Sequence, residues 1–201
     1  SAFEVRAVKT GMLFSKELIE TVADSLDGLD IPLIVDPVMI STSGSRLLRE
    51  DAIESLMTRI LPRAAVITPN RMEAELLTGM TIRSLRDMES AARLCREKFG
   101  CGSVIKGGHS ESGEEAADVC LFGDELLILR SPRLNLPELT THGTGCTFSS
   151  ALAAGVAKGL DLPDAARNAK HFVYASLLGH VRTGADLHSM FPPNLRKGFA
   201  D

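Results

Sequence analysis

The stretch Thr141-His142-Gly143-Thr144-Gly145-Cys146-Thr147 leads straight into the apolar run Phe148 to Val156, and its reading decides what the rest of the chain must be. Glycines on either side of a threonine let the backbone turn sharply and approach a ligand closely. The amides that follow sit at the positive end of a helix, where a phosphate or a developing anion is stabilised. The same terminus is expected to lower the pKa of Cys146 and favour its thiolate. An anion cradle and an activated thiol within one turn point to chemistry on a phosphoryl group.

Working outward, short β-rich runs alternate with segments of helical period. Strands are expected at Val5 to Lys9, Pro32 to Asp36, Ala65 to Thr68 and Ser103 to Lys106. Ala117 to Phe122 and Glu125 to Leu129, joined by Gly123-Asp124, read as a hairpin. Helices are expected over Ser15 to Leu26, Ala52 to Leu61, from Asn70, over Leu85 to Phe99, Thr144 to Lys158 and Pro163 to Val181. Strands that are apolar throughout and alternate with helices imply a mostly parallel sheet with helices on both faces. Ligands of such sheets bind beyond the carboxyl ends of the strands. Five segments are therefore expected on one rim: Thr10-Gly11, Asp36-Pro37, Thr68-Pro69-Asn70, Lys106-Gly107-Gly108-His109 and Gly143 to Cys146.

Composition narrows the classes. The 201 residues suit one domain, with 44% apolar and 24% charged residues. A net charge of −4 without a long basic run argues against a nucleic-acid partner. No apolar stretch approaches a membrane span and no signal pattern is visible, so cytoplasm is expected. Cys95, Cys101, Cys120 and Cys146 form no C-x-x-C pair and suggest neither a zinc site nor a disulfide framework.

The segments Ala7-Val8-Lys9-Thr10-Gly11-Met12-Leu13, Val35-Asp36-Pro37-Val38-Met39, Thr68-Pro69-Asn70 with Glu73, Ile105-Lys106-Gly107-Gly108-His109 and His142 to Thr147 together resemble the ribokinase-like superfamily. Among its branches they resemble the hydroxymethylpyrimidine/phosphomethylpyrimidine kinases of thiamine biosynthesis, which overlap with some pyridoxal kinases. Cysteine at position 146, where most of the superfamily carries aspartate, is similar to that branch. The resemblance implies a three-layer ribokinase-like α/β fold. The family domain starts with a strand and a Gly/Ser-rich loop upstream of the Ala7 to Leu13 segment, and nothing of that precedes Ser1. The expectation is a single kinase domain over residues 1–201 whose amino-terminal strands, and one wall of the substrate pocket, are missing.

The implied reaction moves the γ-phosphoryl group of Mg-ATP to the hydroxymethyl group of an aminopyrimidine and then to the resulting monophosphate. The resemblance makes Cys146 the general base, although free cysteines are commonly small buried hydrophobes. Gly143, Thr144 and Gly145 are expected to offer donors to the transferring group. Asp36 is implied in arranging Mg²⁺ and substrate, and Lys106, with Thr68, Asn70 and Gly108, in holding the nucleotide. Glu73 stays open between a Mg²⁺-linked carboxylate and a capping box begun by Asn70. Gly11, Met12 and Val38 are expected beside the pyrimidine, though a methionine there also reads as core. His109 and His142 read as hydrogen-bonding loop residues, and the tail around Met190 as uninformative. The resemblance also implies a homodimer. Three other readings remain: a pyridoxal kinase acting on a similar alcohol, a non-catalytic nucleotide- or pyrimidine-binding domain, and a cysteine-nucleophile hydrolase, for which no histidine is clearly positioned as the base.

Overall fold

The computed structural model describes residues 4–40, 44–108, 114–136, 142–184 and 188–193. Six strands form one sheet in the order β1 to β6: β1 (Val8–Thr10), β2 (Leu33–Val35), β3 (Val66–Ile67), β4 (Gly102–Lys106), β5 (Glu115–Phe122) and β6 (Glu125–Pro132). The first four pair in parallel and the last two are antiparallel additions. Phe122 pairs with Glu125 across the Gly123-Asp124 turn, where Gly123 takes φ +57°.

Each strand points alternate side chains to opposite faces. Leu33, Val35, Ile67, Ile105, Val119 and Leu121 pack on one face against α1 (Lys16–Ser25), α2 (Glu50–Ser55), α3 (Arg71–Thr78) and α4 (Leu85–Phe99). Ile34, Val66, Val104 and Cys120 pack on the other against α5 (Thr144–Ala157) and α6 (Leu162–Leu178). The three-layer α/β architecture expected from the strand and helix alternation is what the chain adopts.

Local chemistry explains the elements. Asn70 with Glu73, and Ser84 with Asp87, close capping boxes on α3 and α4, satisfying amides that the first turn leaves unpaired. Both helices end on a left-handed glycine, Gly79 and Gly100. Met88, Ala91, Ala92, Cys95 and Phe99 form the buried face of α4, at the spacing of one helical stripe. A Cβ on Gly155 would stand 3.0 Å from that of Ala165, so α5 and α6 approach closely.

Several boundaries differ from the expectations. β1 runs from Val8, not Val5, because its neighbour β2 starts only at Leu33, Val8's partner in the ladder. The helix expected over Ala52 to Leu61 is α-helical only to Ser55, then continues as a π turn (Leu56–Ile60) and a 3₁₀ turn (Leu61–Arg63) at Pro62, which has no N–H for the regular ladder. α6 stops at Leu178. Val181 instead begins β7 (Val181–Arg182), which pairs with β8 (His188–Ser189) in a small second sheet.

Candidate active site

Strand alternation builds the site. Ile34, Val66 and Val104 face α5, so the residues two further along, Asp36, Thr68 and Lys106, face α5 as well, just past the strand ends. Asp36 is 2% exposed. Its Oδ1 accepts from Lys106 Nζ at 2.9 Å and from Thr68 Oγ1 at 3.4 Å. Its Oδ2 accepts from Ser149 Oγ at 3.3 Å. Ser149 is fully buried on the first turns of α5, and its hydroxyl also lies 3.0 Å from the Cys146 carbonyl. One carboxylate thus ties the ends of β2, β3 and β4 to the start of α5.

The loop entering α5 lies directly above. Gly143, which has no side chain to cap with, is the N-cap with φ +79°. A Cβ on Gly145 would stand only 2.8 Å from Lys106 Nζ. The glycine therefore lets the loop backbone settle onto the ammonium, and Thr144 and Gly145 present first-turn amides next to a positive charge. Cys146 is the exposed one of the four cysteines. Burial pushes the buried thiols Cys95 and Cys101 up to about 12 and about 11.

The expectation that the helix terminus lowers the Cys146 pKa is corrected. Although the residue is exposed, the surrounding protein withdraws its thiol partly from water, and this pushes its pKa up. The Asp36 charge and a hydrogen bond to the Asp36 side chain add to the rise, while Lys9 and Lys106 oppose it. A carboxylate beneath a thiol favours the S–H form, which donates to it.

Glu73 is 2% exposed and has both oxygens engaged. Oε1 accepts from the Met39 amide at 2.9 Å and, more weakly, from Ile40 at 3.5 Å, and Oε2 accepts from the Asn70 amide at 2.8 Å. Burial raises its pKa, against the Lys106 charge and these backbone donors. What Glu73 holds is a strained loop: Val38 has φ +45°, rare for a β-branched residue. Asn70 is similarly committed, its Oδ1 capping α3 and its Nδ2 donating to Ile40 O at 3.4 Å. Among the described residues no three acidic, histidine or cysteine side chains gather as a metal-binding group.

Gly107 donates its amide to Asp118 Oδ1 at 2.9 Å, and Lys170 Nζ pairs with Asp118 Oδ2 at 2.8 Å. This buried pair fixes the corner that follows Lys106. Gly108 is exposed and its carbonyl accepts from Arg133 at 3.1 Å. Gly11 and Val38 are half-buried at the rim, Met12 is 46% exposed there, and His142 is exposed. His109 and Thr141 lie outside the described residues.

Sequence reasoning missed three residues. Lys9 precedes the Thr10-Gly11 pair and turns towards α5. Ser149 hides inside the apolar run of α5. Met190, in the supposedly uninformative tail, brings its Cε within 3.7 Å of where a Cβ of Gly143 would be. Alternation would have found Lys9, since Ala7-x-Lys9 repeats the apolar-x-polar step of Ile34-x-Asp36, Val66-x-Thr68 and Val104-x-Lys106.

Comparison with known proteins gives the family. The family described as phosphomethylpyrimidine kinase matches residues 1–191. A hydroxymethylpyrimidine/phosphomethylpyrimidine kinase of Streptomyces coelicolor is 46% identical over 183 residues, covering 91% of this chain and 66% of that protein. The crystal structure of an ADP complex of Bacillus subtilis pyridoxal kinase matches with a TM-score of 0.85 at 32% identity, covering 98% of this chain and 73% of that one. Phosphomethylpyrimidine kinase from Clostridium difficile matches with a TM-score of 0.73 at 33% identity, covering 84% and 68%. The chain spans about two thirds of the length of its Streptomyces relative. The fold is ribokinase-like, and the chain belongs to the phosphomethylpyrimidine kinase family.

Proposed function

We propose that this chain carries the catalytic centre of an ATP-dependent kinase that phosphorylates 4-amino-5-hydroxymethyl-2-methylpyrimidine on its hydroxymethyl group, and then phosphorylates the monophosphate, in thiamine biosynthesis. The observation that carries the reading is the stacking of Gly145 on Lys106 Nζ, with Asp36 2.9 Å from that ammonium and Cys146 one residue further along α5. Phosphoryl transfer needs positioning and charge stabilisation, and this cluster offers both. Lys106 and the α5 amides lie where the transferring group would sit. Cys146 accepts the hydroxyl proton as that oxygen attacks the γ-phosphorus and ADP leaves. Asp36 helps to keep a proton on sulfur in the free protein; once Asp36 is engaged elsewhere, that proton is released to solvent and the thiolate acts as the base.

ATP is the phosphoryl donor, and a kinase relative with ADP bound supports that assignment. Mg²⁺ supplies charge neutralisation on the phosphates when bound. Such sites commonly combine one or two carboxylates with substrate phosphates, and Asp36 fits that role. Glu73 fits it poorly as a direct ligand, because backbone amides occupy both oxygens. The same reading includes a cytoplasmic homodimer, for which the exposed Met12, Phe14 and Leu18 supply an apolar surface.

The test is Mg-ATP-dependent ADP release by the purified chain with hydroxymethylpyrimidine, with pyridoxal, and with neither. The expected result is stimulation by the pyrimidine, lost in Cys146→Ala with nucleotide binding retained. Stimulation by pyridoxal alone would replace the pyrimidine assignment. Undiminished turnover in Cys146→Ala would remove the general base.

A further inference from the structure

Three lysines among the described residues are half-buried: Lys9, Lys106 and Lys170. Lys106 pairs with the buried Asp36 and Lys170 with the buried Asp118. Lys9 has no hydrogen bond or ion pair among the described residues. An ammonium at such a site without a counter-ion is available to a ligand that brings negative charge.

Its place says which ligand. Lys9 pairs with Ile34 in the β1–β2 register, so it faces α5 as Ile34 does. At the end of β1 a Cβ on Gly11 would stand 3.1 Å from Lys9 Nζ, which puts the ammonium over bare glycine backbone, next to Met12. The sheet order sets β1 and β4 on opposite sides of β2. Asp36 therefore lies between two cations: Lys106 from the nucleotide side, and Lys9 from the side of Gly11 and Met12. Both charges act on Cys146.

We propose that Lys9 binds the phosphomonoester of an already phosphorylated acceptor. This rests on the kinase reading and deepens it: one centre serving two successive acceptors must hold first a neutral alcohol and then a phosphate dianion. Lys106 is committed to Asp36 and the nucleotide, whereas Lys9 is the unclaimed charge on the acceptor side. In the second transfer a phosphate oxygen of the monoester attacks the γ-phosphorus. A new P–O–P linkage forms as the γ-phosphorus–oxygen bond to ADP breaks, and no hydroxyl proton has to be removed.

Calorimetric titration of the chain tests this without turnover. The ligands are the pyrimidine alcohol, its monophosphate, and a non-hydrolysable ATP analogue, each against wild type, Lys9→Met and Lys9→Arg. Lys9→Met is expected to weaken monophosphate binding by about tenfold or more, as loss of a charge-assisted contact does, and Lys9→Arg to recover most of it. Alcohol and nucleotide affinities stay near wild type. Equal loss for alcohol and monophosphate, loss for the nucleotide instead, or no loss at all would each overturn the proposal.

A second arm separates this from failure of the pyrimidine assignment. Inorganic phosphate is expected to slow iodoacetamide alkylation of Cys146 in wild type but not in Lys9→Met, whatever the organic acceptor is. Equal protection in both proteins counts against Lys9 even if the wild-type chain binds no pyrimidine.

Discussion

Replacing Asp36 by Asn tests the electrostatics at Cys146 most directly. The carboxylate acts on the thiol twice, through its charge and through the hydrogen bond that it accepts. Asn removes the charge and also releases Lys106 from its 2.9 Å pair, so both consequences favour the thiolate. Removing a unit charge at contact distance changes the ratio of the two thiol forms by about tenfold or more. The more acidic thiolate is a weaker nucleophile, which offsets about half of that gain on a logarithmic scale and leaves about a three- to fourfold faster reaction at neutral pH. The assay is the iodoacetamide rate at Cys146 against pH, read by peptide mass spectrometry. Cys95, Cys101 and Cys120 are buried and serve as internal controls of folding. The expected curve for Asp36→Asn lies at lower pH than wild type. A folded variant with an unchanged or slower rate at neutral pH would refute the claim that Asp36 keeps the proton on sulfur.

Three further outcomes follow from the packing. Glu73→Ala leaves the Met39 and Asn70 amides without their buried acceptor, and is expected to cost about 2–4 kcal/mol, or roughly 4–16 °C in melting temperature for a chain of this size. Burial raises the Glu73 pKa in the folded state, so its contribution is fully present below the unfolded-state value and is lost as pH rises through the folded-state value. The alanine deficit should therefore be larger near about pH 4 than at neutrality, and a deficit that grows with pH counts against it. Gly107→Ala drives a Cβ into the Ala117 carbonyl, whereas a Cβ on Gly108 meets nothing within 4 Å among the described residues. The first should fail to melt cooperatively and the second should melt like wild type, while losing nucleotide affinity if its backbone meets a phosphate; equal melting would contradict the packing. Ser149→Ala removes a donor from Asp36, so the carboxylate is less compensated and the Cys146 alkylation curve should move to higher pH. A shift to lower pH would exclude that donor role.

What the sequence made legible was whatever depends on local order. The capping residues of α3, the Gly123-Asp124 turn and the strand-end positions of Asp36, Thr68 and Lys106 follow from periodicity and turn chemistry, and the structure places them as read. The direction of the Cys146 pKa did not follow, because it depends first on how far the folded protein withdraws the thiol from water and then on a carboxylate 110 residues away in sequence, brought under α5 only by the fold. A helix-terminus argument sees the dipole and misses that neighbour.

Glu73 shows the same limit in another form. Its spacing from Asn70 correctly forecast a capping box, and the resemblance pointed to a metal. Neither forecast its largest commitment, the Met39 and Ile40 amides on another loop. That contact changes what the residue means. A carboxylate whose oxygens are spent on backbone donors, beside a valine held at φ +45°, works by keeping the loop after Asp36 in place. Asp36 still accepts from movable side chains, Lys106, Thr68 and Ser149, which can rearrange when an ion or a phosphate arrives. Of these two buried acids, one is built to stay fixed and the other to exchange partners. The division follows from their donors, rigid amides for Glu73 and rotatable side chains for Asp36, and so substitutions at Glu73 should appear first in melting and those at Asp36 first in chemistry.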